Sequence, residues 1–116
     1  MTGGGAGPKR KGSVFERDVV GFLREHGFPD AARSYGAGRH DDHGDVTGVW
    51  GFTVEAKAHR AIDLAAFLDQ AVHQVGEGGD LPVVVAKRRG RPVDDAYVVM
   101  RLSDWAALAA RRQPGE

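Results

Sequence analysis

The chain has 116 residues, with 16 Lys plus Arg matched by 16 Asp plus Glu and no cysteine. Its length predicts one domain around one modest core, while the missing thiols exclude disulfides and thiolate metal sites, so a metal would be held by oxygen or imidazole. No apolar run approaches the roughly 20 residues of a membrane span, and no apolar stretch behind the N-terminal charges reads as a signal peptide, so a soluble, cytoplasmic protein is expected.

Residues 1–12 are rich in Gly and carry Lys9, Arg10 and Lys11, which reads as a flexible basic arm. The domain is expected over residues 13–112, with 113–116 as a flexible tail. Ser13 followed by Glu16 forms a capping-box pattern, and Phe15, Val19, Phe22 and Leu23 recur at helical spacing up to Gly27. A helix is therefore predicted over 14–26. A short strand is predicted over 31–35, then a loop through Gly36, Gly38 and Gly44.

Asp45 to Val49 and Phe52 to Lys57 read as two strands of a hairpin turning near Trp50-Gly51, with Phe52, Val54 and Ala56 on one face and Thr53, Glu55 and Lys57 on the other. Leu64, Phe67, Leu68, Ala71, Val72 and Val75 predict a helix over 63–76, capped by Asp63 and closed by glycines. Leu81 to Ala86 reads as a buried strand and Tyr97 to Leu102 as another. Ser103 is the expected cap of a last helix through Arg112, with Trp105 and Leu108 facing inward. The predicted order is αβββαββα, an α/β domain with a mixed central β-sheet flanked by helices.

Zero net charge conceals an uneven distribution. Residues 1–40 carry seven basic side chains (Lys9, Arg10, Lys11, Arg17, Arg24, Arg33, Arg39) against four acidic (Glu16, Asp18, Glu25, Asp30). Asp41, Asp42 and Asp45 follow, and Lys87, Arg88, Arg89 and Arg91 form a second basic cluster. Arginine is suited to phosphate by its planar fork of donors. Positive segments flanking a compact acidic group suit a phosphodiester and its metal.

A turn near residue 50 sets Asp45 opposite Glu55, and directly opposed residues have Cβ atoms roughly 4.5 to 5.5 Å apart. Two carboxylates so placed repel unless a proton or cation lies between them, and hard oxygen ligands select magnesium or a similar ion. Lys57 emerges on the same face as Glu55. An ammonium there can orient or deprotonate a nucleophile and offset charge built up in a transition state.

Asp45, then Glu55-Ala56-Lys57, resembles the D…(D/E)xK motif of the PD-(D/E)XK nuclease superfamily. Together with KGSVFERDVVGFLREHGF (11–28), ARSYGAG, DVTG and VEAK, it resembles the archaeal-type Holliday junction resolvases in order and spacing. The resemblance implies the restriction-endonuclease-like fold and a homodimer that cuts four-way DNA in recombination or repair with Mg2+, for which Mn2+ can substitute. It also implies that Glu16, Asp45 and Glu55 hold or orient the metal, that Lys57 is the catalytic lysine, and that Gln70 is a supporting polar residue. Ala37 stands where the family commonly carries Ser, and the loop RHDDHGD departs from the family pattern.

Other readings stay open. Glu16 would serve as a helix cap without any metal, and Asp45, Glu55 and Lys57 would form a solvated strand face with a cross-strand ion pair. His40, Asp41, Asp42 and His43 read as a solvated loop more readily than as a zinc site. Gln70 would be a surface residue of its helix. Lys9, Arg10, Lys11, Arg33, Arg39, Arg60, Lys87, Arg88, Arg89 and Arg91 are candidate DNA contacts. Alternatives to junction resolution are another nuclease of the superfamily (nicking, repair or restriction-like), a non-catalytic DNA-binding module on the same fold, or a small protein-interaction domain.

Overall fold

A computed structural model describes residues 3–34 and 45–115, with residues 3–11 described by their backbone alone. The elements run α1 (Gly3–Glu25), β1 (Ala32–Arg33), β2 (Val46–Thr47), β3 (Phe52–Lys57), α2 (Leu64–Val75), β4 (Leu81–Ala86), a 3-10 turn (Val93–Asp95), β5 (Tyr97–Val99) and α3 (Leu102–Ala110). The five strands form one mixed sheet in the order β1-β2-β3-β4-β5. β3 and β4 are parallel, and the other neighbours are antiparallel.

The hairpin register is the one the turn near residue 50 predicts, with Val46 facing Val54. Gly48 is required in this turn: its φ is +88°, and a Cβ there would lie 2.2 Å from the Asp30 carbonyl oxygen. From β3 the chain crosses through α2 and returns as β4, the route by which parallel neighbours are normally joined. Asp63 caps α2 by accepting from the Ala66 N–H at 3.1 Å. Pro82 is tolerated inside the sheet because Leu81 N–H bonds toward β3, to the Gly51 carbonyl at 2.9 Å. Alternation then turns the position of the missing Pro82 donor toward β5, whose pairing begins only at Val84.

Two apolar layers cover the sheet. Phe15, Val19 and Val20 of α1 pack with Ala31, Val46 and Val54, while Phe67 and Ala71 of α2 pack with Val84 and Ala86. Val85 joins the α1 layer while Val84 and Ala86 join the other, the alternation a strand imposes. Burying a side chain the size of Phe or Val contributes about 1.5 to 3 kcal/mol. β3 is consequently covered on both faces.

Several expectations are corrected. α1 begins at Gly3, well ahead of the predicted start, so its first turns occupy what reads in sequence as a flexible arm. Helix propensity does not account for this, since Gly and Pro both disfavour a helix. The extension moves Ser13 from a cap into the helix interior. β1 is two residues rather than five, and β5 ends at Val99. α3 is capped at Arg101, whose Nε donates to Asp104 Oδ2 at 2.9 Å, and Ser103 lies inside the helix. Trp105 is 57% exposed, on a helix that has no buried residue. No helix among the described residues is long and apolar enough to cross a membrane.

Candidate active site

Glu55 lies in the middle of β3 and is only 2% exposed. Neighbouring strands on both sides and helices over both faces remove water from it, and an ionised carboxylate so placed is strongly disfavoured. Asp45 meets it from the entry of β2. The Asp45 N–H donates to the Val54 carbonyl at 2.8 Å, and its Oδ2 accepts the Ala56 N–H at 3.0 Å. Asp45 is thus pinned on both sides of Glu55 in sequence, close enough that its negative charge acts on the Glu55 carboxyl.

Burial, and next the charge of Asp45, push the Glu55 carboxyl up from 4.5 to about 7, with Lys57 opposing them and the Asp45 hydrogen bond and Glu16 adding smaller increases. One oxygen, Oε2, is buried without a hydrogen-bond partner among the described residues. An orphaned buried oxygen beside a second carboxylate is a site that takes up either a proton or a cation. The resemblance-implied magnesium fits this donor set, which is hard oxygen throughout.

Lys57 ends β3 on the α2 side. Its Nζ donates to Gln70 Oε1 at 2.6 Å and stands 5.6 Å from the centre of the Phe67 ring. α2 therefore delivers both a polar anchor and an aromatic floor to the lysine. The structure thus brings Gln70 and Lys57 together.

Glu16 behaves differently. Its Oε1 accepts from Arg33 Nε at 3.0 Å, and Arg33 Nη2 also donates to Ser13 Oγ at 3.2 Å. Neither the capping box nor a shared carboxylate triad is formed: among the described residues, no three His, Asp or Glu side chains converge to hold a metal. The reason is a cation from a distant strand, Arg33 of β1, which reaches both Ser13 and Glu16 on α1. The charge of Glu16 adds a small upward push to the Glu55 carboxyl.

The candidate DNA contacts divide. Arg33 is engaged with Glu16, Arg88 stacks 5.1 Å from the centre of the Tyr97 ring, and Arg91 pairs with Asp95 at 3.6 Å. Arg60, Lys87 and Arg89 instead line a cleft of about 290 Å³ with Ala58, His59 and Gly90. The side chains of Lys9, Arg10 and Lys11, and residues Ala37, Arg39, His40, Asp41, Asp42 and His43, lie outside the described residues.

Sequence reasoning missed His59 and the second role of Phe67. His59 sets its ring edge-on to Phe67 at 5.0 Å. Its position two residues beyond Lys57 was the available signal. Phe67 reads as core from its helical spacing, and it is core, but its ring also meets Lys57 and His59. Compared with known proteins, the chain matches no family model, no curated protein and no solved structure.

Proposed function

We propose that the protein is a magnesium-dependent, structure-specific DNA endonuclease of the restriction-endonuclease-like fold that hydrolyses phosphodiesters in four-way junctions. The observation that carries the chemistry is the half-buried Asp45 beside the buried Glu55, with an orphaned oxygen on Glu55 and Lys57 two residues further along β3. The junction as substrate, and a homodimer to cut two strands, rest on the resemblance of residues 11–57.

Asp45 and Glu55 would hold Mg2+, for which Mn2+ would substitute, and Glu16 would add negative charge from α1 while tied to Arg33. When bound, the ion supplies charge neutralisation at the phosphate and activation of water. Asp45 is kept in place by the backbone donor of Ala56, so its carboxylate needs no reorganisation to meet a cation. Lys57, held by Gln70, presents a positive charge at a fixed point where a phosphate would gain negative charge. Phe67 supports that ammonium from below and shields it from water on one side.

The test is cleavage of a labelled four-way junction in magnesium and in EDTA, beside flap and linear duplex DNA. Magnesium-dependent cutting that favours the junction and is lost in Asp45→Asn supports the proposal. Equal rates on all three substrates would assign the same chemistry to a nicking, repair or restriction-like nuclease. Binding without turnover would make the protein a DNA-binding module. Light scattering that shows a strict monomer on junction DNA would remove the two-site resolvase reading.

A further inference from the structure

Five loop and strand-end cations lie beyond the carboxyl ends of β3 and β4, and the structure separates them into two groups. Arg88 and Arg91 are occupied by Tyr97 and Asp95. Arg60, Lys87 and Arg89 share one cleft, and among the described residues none of the three side chains is paired with a carboxylate. Three like charges gathered on one cavity repel each other, a cost that an arriving anion reverses. His59 lines the same wall.

The cleft is also fixed relative to Lys57. β3 and β4 are parallel in register, with Lys57 beside Ala86, so the two strands end together. The next backbone donor, Lys87 N–H, bonds to the Lys57 carbonyl at 2.9 Å. The outer ends of parallel strands are a common place for ligand crevices.

We propose that Arg60, Lys87, Arg89 and His59 form a subsite for a non-scissile phosphodiester of the DNA strand, filled without metal and setting which neighbouring phosphate reaches Lys57. The subsite rests on the nuclease reading for the identity of its polyanion. Its chemistry is separate, because among the described residues no carboxylate lines it. Two arginine forks and an ammonium match the oxygens of one or two phosphates and carry no base readout. Arg88 and Arg91, though equally basic in sequence, are engaged with Tyr97 and Asp95 and do not line the cleft.

The experiment is a fluorescence-anisotropy titration of a labelled four-way junction in EDTA across a range of salt concentrations. It compares the native protein with Arg60→Gln/Arg89→Gln, with Lys87→Gln, and with Arg88→Gln as the control outside the cleft. Thermal melting confirms that each variant is folded, which the exposure of the cleft residues favours. Both cleft variants should weaken binding and lower the slope of log K against log salt, Lys87→Gln by about 1 and Arg60→Gln/Arg89→Gln by up to about 2, while Arg88→Gln keeps the native slope. Unchanged slopes in both cleft variants, or an equal loss in Arg88→Gln, would overturn the subsite. A slope lost in the cleft variants while no protein cuts DNA in magnesium would uphold the subsite and remove the nuclease reading. Normal cutting with unchanged slopes would do the reverse.

Discussion

Replacing Glu55 by glutamine removes one negative charge from the interior while keeping the shape of the side chain. Glu55 titrates at about 7 in the folded chain against 4.5 for an ordinary glutamate. At about 1.4 kcal/mol per unit, that difference sets an upper figure of about 3 kcal/mol on the cost of ionising it in the folded state. The sign follows from proton binding: between pH 4.5 and about 7 the folded protein holds a proton that the unfolded chain has released. The stabilisation of the protonated form is complete below 4.5 and is lost as pH rises through about 7. Urea unfolding in EDTA at pH 5 and pH 8 measures it. Glu55→Gln should be more stable than the native chain at pH 8, by up to about 3 kcal/mol, and the advantage should largely vanish near pH 5. Part of the shift belongs to Asp45, which will respond to the substitution, so the measured figure should fall below this limit. A variant that is less stable than the native chain at pH 8, or a difference independent of pH, would refute the burial argument.

Adding magnesium at pH 8 should stabilise the native chain, by about 2.7 kcal/mol at a concentration one hundred times the dissociation constant, and should do little for Glu55→Gln in the same melts. Asp45→Asn should abolish cleavage yet keep or tighten junction binding, since it removes a charge that repels phosphate. It should also draw the Glu55 titration back toward 4.5, read as a downward move of the pH at which stability falls. Gln70→Ala removes the acceptor of a charged hydrogen bond at an exposed position, so cleavage should slow about tenfold while DNA affinity and melting temperature change little, measured by single-turnover kinetics and anisotropy. Gly48→Ala should destabilise by about 2 to 4 kcal/mol in urea, because the new Cβ meets the Asp30 backbone at a φ that also disfavours alanine.

Local patterns carried the sequence reading where neighbours in the chain decide the outcome. Asp63 and the apolar spacing of α2 suffice for that helix, and the turn near residue 50 suffices for the pairing of Val46 with Val54. The meeting of Asp45 with Glu55 follows from that register. Glu55's burial does not, because alternation in a hairpin suggests one face in solvent, whereas the crossover through α2 lays β4 alongside and closes the second face. Glu16 was legible as a candidate but not its partner, since Arg33 comes from another element and its reach depends on packing. Lys87, Arg88, Arg89 and Arg91 look alike in sequence, and only the positions of Tyr97 and Asp95 divide them. Trp105 has the spacing of a core residue on a helix that buries no residue, where periodicity has no core to face.

In the proposed reaction, Lys57 and the carboxyl pair beside it drive hydrolysis of DNA. Its most direct measurement is the initial cleavage rate of a labelled four-way junction by the native chain and by Lys57→Ala, each in magnesium and in EDTA. Cutting by the native chain in magnesium alone, with Lys57→Ala folded, bound to the junction and inactive, is the expected result. Lys57→Ala cutting at the native rate, or native cutting that persists in EDTA, would contradict it.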